Sequence, residues 1–268
     1  MKARAEIGII GGSGFYSLFD ESESLYVETE YGRPSDLVTL GKIGSRSVAF
    51  LPRHGSRHIL PPHKVPYRAN IEALRSLGVD RIIASNAVGS LTEEYAPGDF
   101  VFFDQFINMT HGREESFFEG APVSHVSAAE PYCSELLSLA ANEAKSMRIK
   151  YHSNGTVVVI NGPRFSTKAE SRLFSSQGFH VINMTQYPEV MLARERGICY
   201  LGIGIVTDYD AGIEGRSDIK PVSAAEVNRV FAKSMETAKR LILDLILKIP
   251  KAHSCSCGDA LEGAVIVP

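Results

Sequence analysis

Two acids, Asp208 and Asp210, follow the apolar run YLGIGIVT and stand two positions apart. Residues i and i+2 on a strand point to the same side. If the strand persists to residue 210, both carboxylates face one way. Like charges so placed raise one another's pKa, a cost that makes sense where a ligand needs a proton donor beside an acceptor. The alternative is that one of the acids caps a following turn. A second cluster, LPRHGSRH, brings Arg53, His54, Arg57 and His58 together. Arginine grips oxyanions bidentately and stays charged, and histidine adds a donor, although an exposed polar loop has the same composition. A third is Gly11-Gly12-Ser13-Gly14. It lacks the G-x-G-x-x-G spacing of a dinucleotide fingerprint. Its glycines either permit a tight turn or let backbone N–H groups and the Ser13 hydroxyl converge on an anion.

All three clusters fall at the ends of strand-like segments. EIGII, SVAFL, DRIIAS, HVIN and ICYLGIGIVT read as buried strands, and 67–78, 131–147, 167–178 and 187–197 read as helices. In the last helix, Ser223 and Glu226 have the spacing of a capping box before a periodic run reaching Ile249. Strands alternate with helices, which predicts an α/β fold with a central mixed β-sheet flanked by helices. No linker, repeat or low-complexity stretch divides the chain, so 1–268 is expected to be a single domain with an irregular tail over 250–268. Open α/β sheets bind ligands at the carboxyl ends of their strands. Ser85, Asn86 and Ala87, then Asn183, Met184 and Thr185, join the candidates on that ground.

The chain has 268 residues, 44% of them hydrophobic and 22% charged, with a net charge of −3. That composition is ordinary for a water-soluble globular protein. It provides no global basic field for nucleic acid or an anionic membrane surface. No apolar stretch is long enough to span a bilayer, and the basic N-terminus lacks the long apolar core of a signal peptide. A cytoplasmic protein is expected. Cys255 and Cys257 are close neighbours, whereas Cys133 and Cys199 stand alone, so no second close Cys/His pair completes a zinc site and no metal is expected. Reduced thiols and disulfides both remain open.

The motifs IGIIGGSGFY, LPRHGSRH, SNAVGSL, PGDFVFFDQFI, GPRFSTKAES, VINMT and VTDYD occur in this order. Together they resemble the 5′-methylthioadenosine phosphorylases of the purine nucleoside phosphorylase superfamily, from about residue 6 to 248. The resemblance implies a nucleoside phosphorylase-like fold. It also implies phosphorolysis: inorganic phosphate displaces adenine from the sugar through an oxocarbenium-like transition state. Phosphate is then a co-substrate, and no metal or organic cofactor is required. Ser13, Arg53, His54, Thr185 and the backbone at Asn86 and Ala87 would hold phosphate. Ser13 and Asn86 stand where many family members have threonine.

Met184 would meet the ribose, and Phe165 would stack on the purine, although a core aromatic has the same signature. Asp208 would protonate the N7 ring nitrogen as the base leaves, and Asp210 would accept from the 6-amino group. Val227 and Val230 would line an apolar pocket for the methylthio group, although such spacing also suits a core stripe. His58 and His125 are candidates to reach it, from the same or a neighbouring subunit. The resemblance also implies a homotrimer or a hexamer built from trimers. The Cys-x-Cys tail is similar to that of archaeal members with cysteine-stabilised hexamers, which implies disulfides of open connectivity. Two rivals are a nucleoside hydrolase of the same superfamily and a non-catalytic nucleotide-binding or redox module. Arg53 and His54 count against the first, and the ordered motifs against the second.

Overall fold

A computed structural model describes residues 5–19 and 21–266, apart from the side chains of residues 13, 16 and 17. The strands are β1 (Ile7–Gly11), β2 (Ser22–Leu25), β3 (Val38–Ile43), β4 (Arg46–Pro52), β5 (Arg81–Ser90), β6 (Phe100–Met109), β7 (Val123–Ser124), β8 (Tyr151–Ile160), β9 (Val181–Asn183), β10 (Cys199–Asp208) and β11 (Val265–Ile266). The helices are α1 (Tyr67–Ser76), α2 (Ser134–Ser146), α3 (Lys168–Ser176), α4 (Gln186–Glu195) and α5 (Ala224–Lys248). The fold is α/β with a mixed nine-stranded sheet in the order β10-β6-β8-β9-β5-β1-β4-β3-β2.

One further pairing shapes the molecule. β10 also runs parallel to β5, from Cys199 opposite Arg81 to Asp208 opposite Gly89. The strands β5, β10, β6, β8 and β9 therefore close into a ring, and β1 to β4 extend from it as an open wing. Closure demands close contact across the ring. A Cβ on Gly202 or Gly204 would lie 2.5 or 2.7 Å from the Phe103 ring, so the glycines of LGIGIVT make room for β6.

β1 feeds both cores. Ile10 packs with α1 and α4, whereas Ile7 and Ile9 face α2 and α5. Leu241, Ile242, Leu245 and Ile246 of α5 are fully buried on that second face. Each such side chain contributes about 1.5–3 kcal/mol, so this helix is a principal wall of the molecule.

The structure departs locally from the sequence-based expectations. The helix expected over 131–147 begins only at Ser134, after Pro131. Ser223 accepts from the Glu226 N–H, but the Glu226 carboxylate pairs with Arg229; the reciprocal capping box belongs to Thr167 and Glu170 of α3. The tail is not irregular throughout. Residues 257–259 form a 3₁₀ turn, and β11 pairs antiparallel with β7. All four cysteines are free thiols, and the fold brings their sulfurs together.

Candidate active site

β5 forms the floor of a cleft of about 870 Å³, to which Ser85, Asn86, Ala87, Val88 and Gly89 all contribute. The strands that run parallel to β5 deliver other groups to the same place. β1 ends at Gly11, and Gly12 and Gly14 line the cleft; the Ser13 side chain lies outside the described residues. β4 ends at Pro52, and the Arg53 N–H bonds to Gly11 O at 3.0 Å, which turns Arg53 inward. β10 ends at Asp208, registered on Gly89. Arg53 Nη1 donates to Ser85 O at 2.9 Å. The cation thus sits at one end of this floor and the acid at the other. Four residue steps along the strand, from Ser85 to Gly89, separate them, about 13 Å at the usual rise.

The cationic end is not what charge counting predicts. Arg53 Nε and Nη2 donate to the two carboxylate oxygens of Glu189 at 2.7 and 2.8 Å, with the side chains 3% and 0% exposed. Tyr200 Oη donates to Glu189 as well, at 2.6 Å. Burial works against the Arg53 charge, but the Glu189 carboxylate outweighs it and holds the guanidinium protonated. His54 Nδ1 lies 2.8 Å from the Leu60 carbonyl. A carbonyl only accepts, so Nδ1 carries the proton. Burial, aided by the charge of Arg53, pushes the His54 pKa down to about 4. At neutral pH the ring is therefore uncharged, with a lone pair on Nε2. Arg53, Glu189 and His54 together carry no net charge.

Asp208 and Asp210 both line the cleft, but not by strand alternation. β10 stops at Asp208, after a register shift between Val206 and Asp208. Asp210 lies beyond it with φ of 48°, in a left-handed turn. Asp208 Oδ1 accepts from the Asp210 N–H at 2.8 Å, and Oδ2 accepts from Thr207 Oγ1 at 2.7 Å. One acid therefore does cap the turn that presents the other. Burial pushes the Asp208 pKa up to about 6 against these hydrogen bonds, with the Asp210 charge adding to the rise. Burial raises Asp210 too, opposed by the Ser171 and Ser166 hydroxyls. Among the described residues, Asp210 Oδ2 is a buried oxygen without a hydrogen-bond partner. The pair thus offers a carboxyl that titrates near neutrality and an unused acceptor.

Gly89 allows this arrangement. A Cβ there would lie 2.9 Å from Asp208 Oδ1 and 3.2 Å from the Asp210 nitrogen.

Thr185, Met184, Phe165 and His58 line the cleft. Thr185 Oγ1 donates to Asn86 Oδ1 at 3.0 Å, so it must release Asn86 before it donates to a ligand. His58 stacks on His54 with ring centroids 4.6 Å apart. The face of α5 differs from the expected one. Val227, Phe231 and Met235, spaced four apart, line the cleft with Asn228, whereas Val230 is buried outside the lining. His125 also stays outside the cleft of its own chain; its N–H bonds to Ala264 O in the tail. Sequence reasoning singled out neither Glu189 nor Met235, and it marked Ser85 only as a residue at a strand end. Glu189 carried a signal: an acid within the apolar PEVMLA run of a helix packed against the sheet. Its fully buried position implies a cation, and Arg53 is that cation.

The phosphorylase superfamily model matches residues 6–247. The S-methyl-5′-thioadenosine phosphorylase of Thermofilum pendens is 52% identical over 98% of this chain and 99% of its own. That of Saccharolobus solfataricus is also 52% identical, over 98% of each chain. Among solved structures, a variant of the Schistosoma mansoni adenosine/methylthioadenosine phosphorylase in complex with methylthioadenosine superposes with a TM-score of 0.88, at 35% identity over 97% and 96% of the two chains. The chain whose cleft pairs a titrating acid with a buried arginine is thus similar to these enzymes along nearly its whole length: it belongs to the phosphorylase superfamily, among the methylthioadenosine phosphorylases.

Proposed function

We propose that this protein cleaves 5′-methylthioadenosine with inorganic phosphate, releasing adenine and 5-methylthioribose 1-phosphate, as a step of purine and methionine salvage. The observation that carries this reading is the two-ended floor of β5, with Arg53 at Ser85 and Asp208 at Gly89. A purine whose glycosidic bond breaks gains negative charge and needs a proton at N7. Asp208 titrates near pH 6 and so exchanges a proton with the base at little cost near neutrality. Asp210 accepts from the 6-amino group through its unpaired Oδ2. Met184 contacts the ribose and Phe165 the purine face. Val227 and Phe231 make the 5′ end apolar, as a methylthio group requires.

At the other end, phosphate is held by Arg53, Thr185, Ser13 and the backbone N–H groups of the Gly12–Gly14 and Asn86–Ala87 turns. Because Glu189 neutralises Arg53, hydrogen-bond donors rather than net charge do most of the holding. His54 presents a lone pair, so it takes up a proton as the anion arrives or accepts from a phosphate hydroxyl. No metal or organic cofactor takes part in the chemistry. The protein works in the cytoplasm as a homotrimer or a hexamer built from two trimers, in which His58 and a neighbour's loop complete the 5′ pocket. In support of a water-exposed setting, no helix among the described residues is long and apolar enough to cross a membrane.

The test is a nucleoside panel with and without phosphate. Adenine release from methylthioadenosine should require phosphate, and 6-oxopurine nucleosides should react more slowly. Full release in phosphate-free buffer would mark a hydrolase. No turnover of any nucleoside would mark a binding module.

A further inference from the structure

Arg113 lies between β6 and β7 and does not line the cleft, yet its guanidinium closes on the backbone of the cleft wall. Nη2 donates to Met184 O at 2.8 Å and to Asn161 O at 3.1 Å. Nη1 donates to Tyr187 O, and also to Tyr67 Oη at 3.4 Å. Tyr67 Oη in turn donates to Pro62 O at 2.8 Å. Pro62 and Met184 line the cleft, as does Ile160 beside Asn161. One side chain thus ties together the 3₁₀ turn at Pro62, the end of β8 and the junction of β9 with α4. We infer, on the function proposed above, that Arg113 is a positioning residue: without touching substrate, it fixes the backbone that meets ribose and phosphate and the start of the helix that carries Glu189 to Arg53.

Each carbonyl in this set has a reason to need the arginine. Tyr187 lies in α4 with φ of −105° and ψ of 134°, which are not helical values. Its oxygen leaves the helical ladder and requires another donor. Arg113 supplies that donor two residues before Glu189, whose carboxylate takes Arg53. Met184 O belongs to the peptide that also carries the Thr185 N–H, and in a planar trans peptide the two point opposite ways. Holding the oxygen therefore sets the direction of that N–H, and with it the residue whose hydroxyl is to meet phosphate. Only a planar fork of several N–H groups can bridge carbonyls from separate segments in fixed directions; an ammonium is a point charge on a flexible stem.

Stability alone does not account for an arginine here. The oxygens it bonds are all uncharged. Burial pulls its pKa down, opposed only by Tyr67. A half-buried cation without a counter-ion is costly, and Arg113 Nε is a buried donor with no partner among the described residues. The segment that delivers Arg113 is anchored by other groups. Glu195 accepts from Ser116 Oγ at 2.9 Å and from the Phe117 N–H at 2.7 Å, and Arg68 pairs with Glu114 and Glu119. The fold thus tolerates an unmatched charge in order to grip carbonyls along the cleft wall.

The test compares the full-length parent with Arg113→Ala and Arg113→Lys, each confirmed folded by circular dichroism and assayed well below its melting temperature. In Arg113→Ala, kcat/KM for methylthioadenosine should fall at least about tenfold, as misplaced reacting groups require, and KM for phosphate should rise. Arg113→Lys should recover little of that loss. Should Arg113→Ala fail to fold, the same kinetic loss is read from Arg113→Lys. Millimolar guanidinium should restore turnover to a folded Arg113→Ala far better than ammonium at equal ionic strength. A purely structural role would lower the melting temperature and leave these kinetic constants alone. Parent-like kinetics in the folded variants, or no advantage of guanidinium over ammonium, would overturn the inference. A parent without phosphate-dependent turnover would sink the proposed function instead. Calorimetric affinity for methylthioadenosine then decides the role of Arg113, and equal affinities in parent and variant would overturn it.

Discussion

Arg53 and Glu189 stand 136 positions apart and form a two-pronged ion pair, at 2.7 and 2.8 Å, with both side chains all but sealed from water. This pair decides what kind of anion site the cleft contains. A lone arginine would attract phosphate by charge. An arginine already matched by a carboxylate keeps its orientation and lends only its remaining N–H groups. Specific hydrogen-bond geometry then replaces long-range attraction, which suits a site that must admit a nucleoside beside the anion.

Glu189→Gln tests that arrangement. The substitution leaves a buried guanidinium without its counter-charge, which costs about 3–5 kcal/mol. The variant should melt well below the parent in phosphate-free buffer. Added inorganic phosphate should recover more of that loss than it adds to the parent, because the anion then supplies the missing charge. Thermal melts with and without phosphate measure both effects. Equal stabilisation of the two proteins would mean that Arg53 does not face the anion.

Asp208→Asn should separate stability from activity. The Asp208 pKa rises from 3.8 to about 6 on folding, chiefly through burial. The folded state disfavours the charged form, so the carboxyl costs nothing well below pH 4, and the cost grows as pH rises through 6. Above that it is about 3 kcal/mol. Asparagine can still accept from the Asp210 N–H, while its amide faces Thr207 Oγ1 and the hydroxyl turns to Val88 O, 3.2 Å away. The variant should therefore be more stable than the parent at pH 8, by up to about 3 kcal/mol, and equal to it near pH 3.5. Its kcat on methylthioadenosine should fall steeply, with relative preference moving towards 6-oxopurine nucleosides. Urea unfolding at the two pH values and a substrate panel give the answer; a stability difference that ignores pH would remove burial of the charge as its cause.

Gly89→Ala probes the acid's seat without touching an acid. The added methyl group would meet Asp208 Oδ1 at 2.9 Å and the Asp210 backbone nitrogen at 3.2 Å. Backbone cannot give way as a flexible side chain would, so the turn must shift. A stability loss of about 1–3 kcal/mol is expected. The kcat should drop at least about tenfold, since misplacing a reacting group by about an ångström costs more than that. KM for phosphate should change little, because the anion end lies four residues away along β5. A normal kcat would show that the position of Asp208 is not critical.

Much of this was readable along the chain, and the rest failed for identifiable reasons. Buried strands announce themselves as apolar runs, and the polar residues that end them mark a ligand-binding edge. Arg53, His54, Asn86, Thr185, Asp208 and Asp210 all stand out on that ground, and the structure gathers them in one cleft. The α5 stripe was harder. Val227, Val230 and Phe231 share a helical face, but only the fold decides which edge of that face meets the cleft. It chose 227, 231 and 235 and turned Val230 inward. His125 lies in a polar loop whose position depends on a strand pairing with the tail, some 140 residues away.

Composition, periodicity and ordered motifs by themselves determined the α/β class, the strand-end location of the site and the acids at the end of β10, because these are local properties of the chain. Only the tertiary structure decided the protonation states and the partners: a neutral His54, a matched Arg53, an Asp208 that titrates near pH 6, and four cysteines brought within one another's reach. Desolvation and ion pairing depend on which distant segments close over a group, and no spacing along a single chain encodes that directly.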